Sequence, residues 1–112
     1  RIVLKIPSVL APYKAAILPL VKKDGLSEIA TDLYNKLKTE FNIIYDEKDA
    51  VGRRYRRQDA IGTPLCITID HQTLENNTVT IRNRDTMEQK RISTDSVSKE
   101  IIKEVNLKNW LV

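Results

Sequence analysis

Reactive and redox-active side chains are scarce in this 112-residue chain, which holds one cysteine, one histidine, one methionine and one tryptophan. A lone cysteine, Cys66, excludes an internal disulfide and gives no sign of a secreted disulfide scaffold. With His71 the sole histidine, no Cys/His cluster has metal-ligand spacing. The three glycines, Gly25, Gly52 and Gly62, are too dispersed for a glycine-rich phosphate loop. No apolar run approaches the roughly 20 residues of a membrane span, and no signal peptide is visible. Serine, histidine and aspartate occur, but nothing groups them into a nucleophilic triad. His71 lies in a polar stretch and reads as an ordinary exposed histidine. Cys66 lies in an apolar run and reads as a buried, inert thiol. No catalytic centre emerges.

What is present is the composition of a soluble globular domain, 41% hydrophobic and 30% charged. The length suits one domain with a core of its own. The net charge of +4 permits a polyanionic partner without requiring one. Its distribution is more informative, because the arginines crowd into residues 53–57 and 82–91. The chain opens on Arg1 rather than methionine, with an apolar, extended-looking lead-in, and reads as a fragment of a longer protein.

Residues 1–13 contain Pro7 and Pro12 and read as a lead-in. Residues 14–21 form an apolar run of strand length, with Pro19 placed near its end because proline cannot donate to a ladder. Leu26, Ile29, Ala30, Leu33, Leu37 and Phe41 recur at helical spacing, with Asp24 or Ser27 as the expected cap. A short strand at 43–46 follows, then a polar link at 47–49. Residues 52–64 read as turn, short helix and stop, and the apolar strand 65–69 comes next. The order strand, helix, strand, helix, strand implies parallel strands with helical crossovers, and the loop at 47–52 lies where such folds meet ligands.

Residues 71–77 read as a polar loop. Residues 78–84 and 87–92 read as a hairpin turned at Asp85-Thr86, pairing Arg84 with Met87, Arg82 with Gln89 and Val79 with Ile92. Val79, Ile81 and Ile92 then share the core face, while Thr80, Arg82, Arg84, Gln89 and Arg91 share a polar, cationic one. Thr94 or Asp95 is expected to cap a last helix with Val97, Ile101, Ile102 and Val105 as its stripe, followed by a tail over 106–112 that contains Trp110.

Four arginines and a tyrosine occupy residues 53–57. At 100° per residue the arginines cover a wide arc, leaving Tyr55 and Ile61 as inward anchors. One account is a solvated helix whose arginines pair with Glu47, Asp49 or Asp59. The other is a phosphate-binding surface, since arginine offers a planar fork for phosphate and a flat face for bases where lysine would suffice for solubility.

The run Gly-Arg-Arg-Tyr-Arg-Arg-Gln-Asp at 52–59, Ile-Gly-Thr-Pro at 61–64, and Val-Thr-Ile-Arg-Asn-Arg-Asp-Thr-Met-Glu-Gln at 79–89 resemble the C-terminal anticodon-binding domain of homodimeric-type glycyl-tRNA synthetases. Leu-Ala-Pro-Tyr-Lys at 10–14 and Leu-Pro-Leu-Val-Lys-Lys-Asp-Gly at 18–25 are similar too, so the likeness covers nearly the whole chain. A looser form of the motif is shared with prolyl-tRNA synthetases, and threonyl and histidyl enzymes carry related domains. The resemblance implies an α/β class fold, a three-layer α/β/α sandwich around a five-stranded mixed sheet with one antiparallel strand. It implies an anticodon-binding domain over 14–105 and a cytoplasmic, homodimeric parent that joins glycine to its tRNA. The parent's ATP and magnesium would sit in a catalytic domain preceding Arg1, with no cofactor or metal in this domain. The partner implied is glycine tRNA, with no membrane, and the domain alone is compatible with a monomer. Asn83 stands where many relatives would have Asp.

Glycine codons begin with two guanines, so two anticodon bases are cytosines. Reading one takes an acceptor for its amino group and a donor for N3 or O2. That need assigns base reading to Arg82, Arg84, Asp85, Glu88 and Gln89, and backbone contacts to Arg53, Arg54, Arg56 and Arg57. The competing readings are a nucleic-acid or protein docking module of the same fold, and a small-molecule domain with a pocket at the strand ends.

Overall fold

The computed structural model describes residues 13–48 and 50–109. The lead-in before residue 13, Asp49 and Trp110 therefore lie outside the described residues. Strand β1 (Ala15–Pro19) is buried throughout and lies between β2 (Ile43–Tyr45) and β3 (Leu65–Ile69), parallel to both. Strand β4 (Thr78–Asn83) pairs antiparallel with β3, and β5 (Gln89–Ser93) pairs antiparallel with β4. The five-stranded sheet has the order β2-β1-β3-β4-β5. Pro19 is the last residue of β1, where its missing N–H costs the ladder nothing, and Leu20 N resumes bonding to Ile69 O at 2.8 Å.

Because β2 and β3 flank β1 on opposite sides, right-handed crossovers must place the two connecting helices on opposite faces. The packing agrees. Helix α1 (Leu26–Leu37) packs Leu26, Ala30, Leu33 and Leu37 in one cluster with Ala15, Ile17, Leu65, Ile67, Val79 and Ile81. Helix α4 (Val97–Asn109) adds Val97 and Ile101 to that cluster. On the other face, Tyr55 of α2 (Val51–Ile61) packs on a smaller cluster of Ala16, Leu18 and Cys66. This is the expected α/β/α sandwich. Cys66 is buried, and burial pushes its thiol up to about 12.

Several local expectations are corrected. Neither Asp24 nor Ser27 caps α1. Gly25 occupies the N-cap position at φ 81 without a side-chain cap, and Ser27 turns to Glu47 instead. Residues 71–76 form a short helix, α3 (His71–Asn76), where a loop is expected. Asp70 and Thr73 close a reciprocal capping box around its first turn, and that local hydrogen bonding substitutes for the absent apolar periodicity. Ser93, rather than Thr94 or Asp95, accepts the hydrogen bond at the turn leading into α4. Ile102 is 45% exposed, so it is not part of the α4 core stripe. Helix α4 continues to Asn109 because residues 106–109 contain no glycine or proline to stop it.

The hairpin register is the expected one at Arg82↔Gln89 and Val79↔Ile92. The turn is longer than two residues, however. Asn83 N donates to Glu88 O at 2.9 Å and Asn83 O accepts from Met87 N at 2.8 Å, which makes residues 84–87 the loop. Met87 adopts φ 64 to close it. Arg84 therefore does not pair with Met87, and its N–H goes to Pro64 O across the sheet at 2.8 Å. Asn83 Oδ1 accepts from Asp85 N at 2.9 Å and Thr86 N at 3.1 Å, so the side chain builds the turn.

Candidate nucleic-acid interface

Helix α2 starts near the carboxyl ends of β1 and β2 and ends on a glycine stop. Gly62 at φ 83 donates its N–H to Asp59 O and Gln58 O, and Thr63 N donates to Gln58 O at 3.0 Å. This double closure satisfies the last carbonyls, and Pro64 then begins the extended chain. Gly52, Arg53, Arg56 and Ala60 face outward, while Arg54 and Gln58 face the sheet.

Arg54 is buried, a placement that helix geometry alone did not favour over its neighbours. Its Nη1 donates to Pro19 O and to Asp46 O (3.4 Å for the latter), and Nη2 donates to Leu20 O at 3.0 Å. Adjacent β1 and β2 send their crossovers to opposite faces, so their carboxyl ends form the crevice where such sheets usually hold ligands. In this fold the Arg54 guanidinium fills it. That arrangement counts against the small-molecule reading.

Arg57 Nη1 donates to both carboxylate oxygens of Asp46, at 3.0 and 2.8 Å. The same carboxylate, buried at the end of β2, accepts from Gln58 Nε2 at 3.2 Å and Lys48 N at 3.1 Å. Glu47 instead accepts from Tyr45 Oη at 2.8 Å and from Ser27, so it serves α1 rather than the arginines. The anchoring carboxylate for α2 is thus Asp46, a residue the sequence reading left within a strand. Ile61 is half-buried, and the deepest polar residues of the helix are Arg54 and Gln58 rather than Tyr55.

Beyond α2 the sheet face is polar and only partly exposed. Arg82 on β4 lies over the Tyr55 ring, 4.9 Å from its centroid, and forks onto Asp59 at 3.2 and 3.4 Å. Its Nη2 also reaches Met87 Sδ at 3.1 Å. Tyr55 Oη and Thr68 Oγ1 share a 2.6 Å hydrogen bond that pins the ring. Arg84 is buried, with Nε donating to Asp59 O at 3.1 Å and Nη1 to Asp85 Oδ1 at 3.1 Å. Arg91 on β5 donates to Thr78 Oγ1 at 2.9 Å, to Thr80 Oγ1 at 3.2 Å and to Asp70. Burial works to raise the Asp70 carboxyl, but the Arg91 hydrogen bond and charge, with the Thr73 N–H and hydroxyl, outweigh it and hold the group below its ordinary value.

The two arginine groups therefore meet at the C-terminal half of α2, where Tyr55 and Asp59 receive Arg82 and Arg84. Arg53 and Arg56 stand exposed on the outer face of the helix. Glu88 and Gln89 are exposed at the start of β5, and Asp85 is partly exposed on the loop. Arg54 has its guanidinium committed to main-chain carbonyls, and Arg84 to a carbonyl and the Asp85 carboxylate. Sequence reasoning missed Asp46 and Asp70 as members of this network, placed Arg91 on the cationic face without its partner Asp70, and treated Asp59 only as one of several possible partners. The spacing of Tyr55 and Asp59, four residues apart on one helix flank, was the available signal. Among the described residues no group of three or more His, Cys, Asp or Glu side chains is placed to hold a metal ion, and no helix is long and apolar enough to cross a membrane.

A mixed sheet of this order, with an arginine-rich helix on one face beside the antiparallel pair β4–β5, defines a class of small three-layer α/β domain. The chain belongs to the anticodon binding domain family, whose profile matches residues 14–104. It is 57% identical over 101 residues to a glycine–tRNA ligase of Rhodopirellula baltica, covering 90% of this chain and 19% of that protein. It is 55% identical over 104 residues to a glycine–tRNA ligase of Clostridium kluyveri (93% and 22% covered) and 58% over 92 residues to one of Borreliella burgdorferi (82% and 21% covered). The chain thus spans about a fifth of the length of these relatives. Among solved structures, a prolyl-tRNA synthetase of Cryptosporidium parvum superposes with a TM-score of 0.85 at 22% identity, over 96% of this chain and 24% of that one. This second likeness establishes the fold.

Proposed function

We propose that this domain binds the anticodon arm of glycine tRNA as part of a glycine–tRNA ligase. The observation that carries the reading is the 54–58% identity to glycine–tRNA ligases over most of the chain. Activation of glycine with ATP and magnesium, and its transfer to tRNA, belong to a catalytic domain elsewhere in the parent, which we take to be a cytoplasmic homodimer. The domain itself binds and positions.

The roles divide by position on the helix or the hairpin. Arg53 and Arg56, with Arg57 beside them, contact phosphates, where each cation exchanges condensed counterions for a direct contact. Arg82, Asp85, Glu88 and Gln89 read base edges at the hairpin. A carboxylate accepts the cytosine amino group, and an arginine or amide donor meets N3 or O2. Arg54 and Arg84 belong to the same two groups but act from beneath, holding the helix start and the loop in shape. The pairing of the Arg82 guanidinium with the Tyr55 ring, beside the exposed Glu88 and Gln89, supports this reading, because planar and hydrogen-bonding groups for bases lie together there.

Binding of a glycine anticodon stem-loop, measured against the same stem-loop with one cytosine replaced and against duplex DNA, tests the proposal. Preference for the two-cytosine loop supports it. Equal affinity for all three would reduce the domain to a general polyanion-docking module of the same fold.

A further inference from the structure

Through Asp59, helix α2 grips both Arg82 and Arg84. The two Asp59 carboxylate oxygens accept from Nη1 and Nη2 of Arg82, and the Asp59 main-chain carbonyl accepts from Nε of Arg84. The Asp59 and Arg82 side chains are equally enclosed, each 11% exposed, so the pair is held as one unit and only a small part of the guanidinium reaches the surface. A carboxylate under a surface that attracts a polyanion lowers the local positive potential, so a purely phosphate-binding face would be better without it. Its position makes sense as an orienting device. The fork fixes the plane of Arg82, the Tyr55 ring supports one side of that plane at 4.9 Å, and Met87 Sδ meets Nη2 at 3.1 Å. A guanidinium held in this way has lost its rotamer freedom before any ligand arrives, and three hydrogen bonds leave some of its five N–H donors unspent.

We propose that Asp59 is a specificity-determining positioning residue: it holds Arg82 in the single orientation that distinguishes the correct anticodon base from others. The inference rests on the anticodon reading above. Asp59 acts through Arg82 and does not itself touch RNA. Its loss therefore frees Arg82 to swing toward any nearby phosphate, so selectivity falls while general attraction does not.

The test compares the 112-residue chain with Asp59→Asn, Asp59→Glu, Arg82→Ala and the double variant Asp59→Asn/Arg82→Ala. Asparagine keeps the main-chain carbonyl that receives Arg84 and nearly keeps the volume. Each protein is titrated with the glycine stem-loop and with the same loop carrying one replaced cytosine, at several salt concentrations, after circular dichroism confirms folding. Asp59→Asn is expected to lose about tenfold in the affinity ratio between the two loops, mostly through equal or tighter binding of the wrong loop, with the salt slope unchanged. Asp59→Glu, which keeps the charge, recovers part of the ratio. Adding Asp59→Asn to Arg82→Ala changes the ratio no further, as expected if one acts through the other. An unchanged ratio in Asp59→Asn overturns the inference, as does an equal loss of affinity for both loops, and so does independent, additive behaviour in the double variant. If wild type binds both loops equally, the anticodon reading falls and this inference with it. Should Asp59→Asn not fold, Arg82→Lys takes its place: it keeps the charge but cannot make the fork, and an unchanged ratio there overturns the inference equally.

Discussion

Arg54 donates Nη2 to the carbonyl of Leu20 at 3.0 Å, which places a helix arginine at the carboxyl end of the first strand. With its further bonds to Pro19 O and Asp46 O, it ties together β1, β2 and α2. An arginine in a cationic cluster is thereby a fold element, with a fork whose geometry lysine cannot copy. Replacement by methionine keeps the length but leaves these carbonyls short of donors, and Arg54→Met is expected to cost about 2–4 kcal/mol. Urea denaturation measures it. The salt slope of RNA binding by the remaining folded protein should not change.

Arg53 and Arg56 should behave in the opposite way. Both are exposed on the outer face of α2. Alanine at either is expected to alter stability by no more than about 0.5 kcal/mol. Each should weaken RNA binding regardless of sequence and lower the slope of log K against log salt by about 0.7–0.9 per lost phosphate contact. Titrations at four or five salt concentrations separate these variants from Arg54→Met. An unchanged slope in both would remove them from the interface.

Asp70 gives a pH signature. Its carboxyl is held below the ordinary value in the folded state, so its ionised form stabilises the protein above the unfolded-state pKa and that contribution disappears as pH falls through the folded one. Asp70→Asn removes the charge opposite Arg91 while asparagine remains a good helix N-cap for α3. The variant is expected to be less stable than wild type by about 1 kcal/mol at pH 7. The gap should narrow below about pH 4, the ordinary carboxylate range. Denaturant melts at pH 7 and at about pH 3 supply the comparison, and a gap that does not depend on pH would contradict the assignment.

Asn83 combines two jobs that an aspartate could only half perform. Its Oδ1 accepts from the turn N–H groups of Asp85 and Thr86, while its Nδ2 donates to Glu104 Oε2 at 3.1 Å. Asn83→Asp keeps the turn but sets one carboxylate against another that is buried. The expected cost at neutral pH is about 1–2 kcal/mol, and Glu104→Gln in the same background should restore most of it by supplying a donor. Thermal melts of the single and double variants decide the point.

Much of the fold was legible because the apolar periodicities are unambiguous. The fully buried strands β1 and β3 read as continuous apolar runs, α1 shows its helical stripe, and inward Val79, Ile81 and Ile92 set the hairpin register. A slip of one residue would have buried Arg82 in the apolar core. The short α3 was not legible, since its stability lies in the Asp70–Thr73 hydrogen bonds rather than in any pattern of burial. The four-residue turn was hidden too, because Asn83 and a left-handed Met87 favour a loop that the dipeptide Asp85-Thr86 does not advertise.

The sequence by itself determined the layered architecture, the strand register and the concentration of arginine on one helix and one hairpin. These follow from local periodicity and charge. Only the tertiary structure decided which arginines are structural and which remain outward. Four arginines within five residues are nearly equivalent as a string, but burial is tolerable only where several acceptors converge. Pro19, Leu20 and Asp46 converge on Arg54, and Asp59 and Asp85 converge on Arg84, whereas Arg53 and Arg56 face solvent on the outer side of α2. Those acceptors come from separate strands and loops, so their meeting is a property of the folded chain.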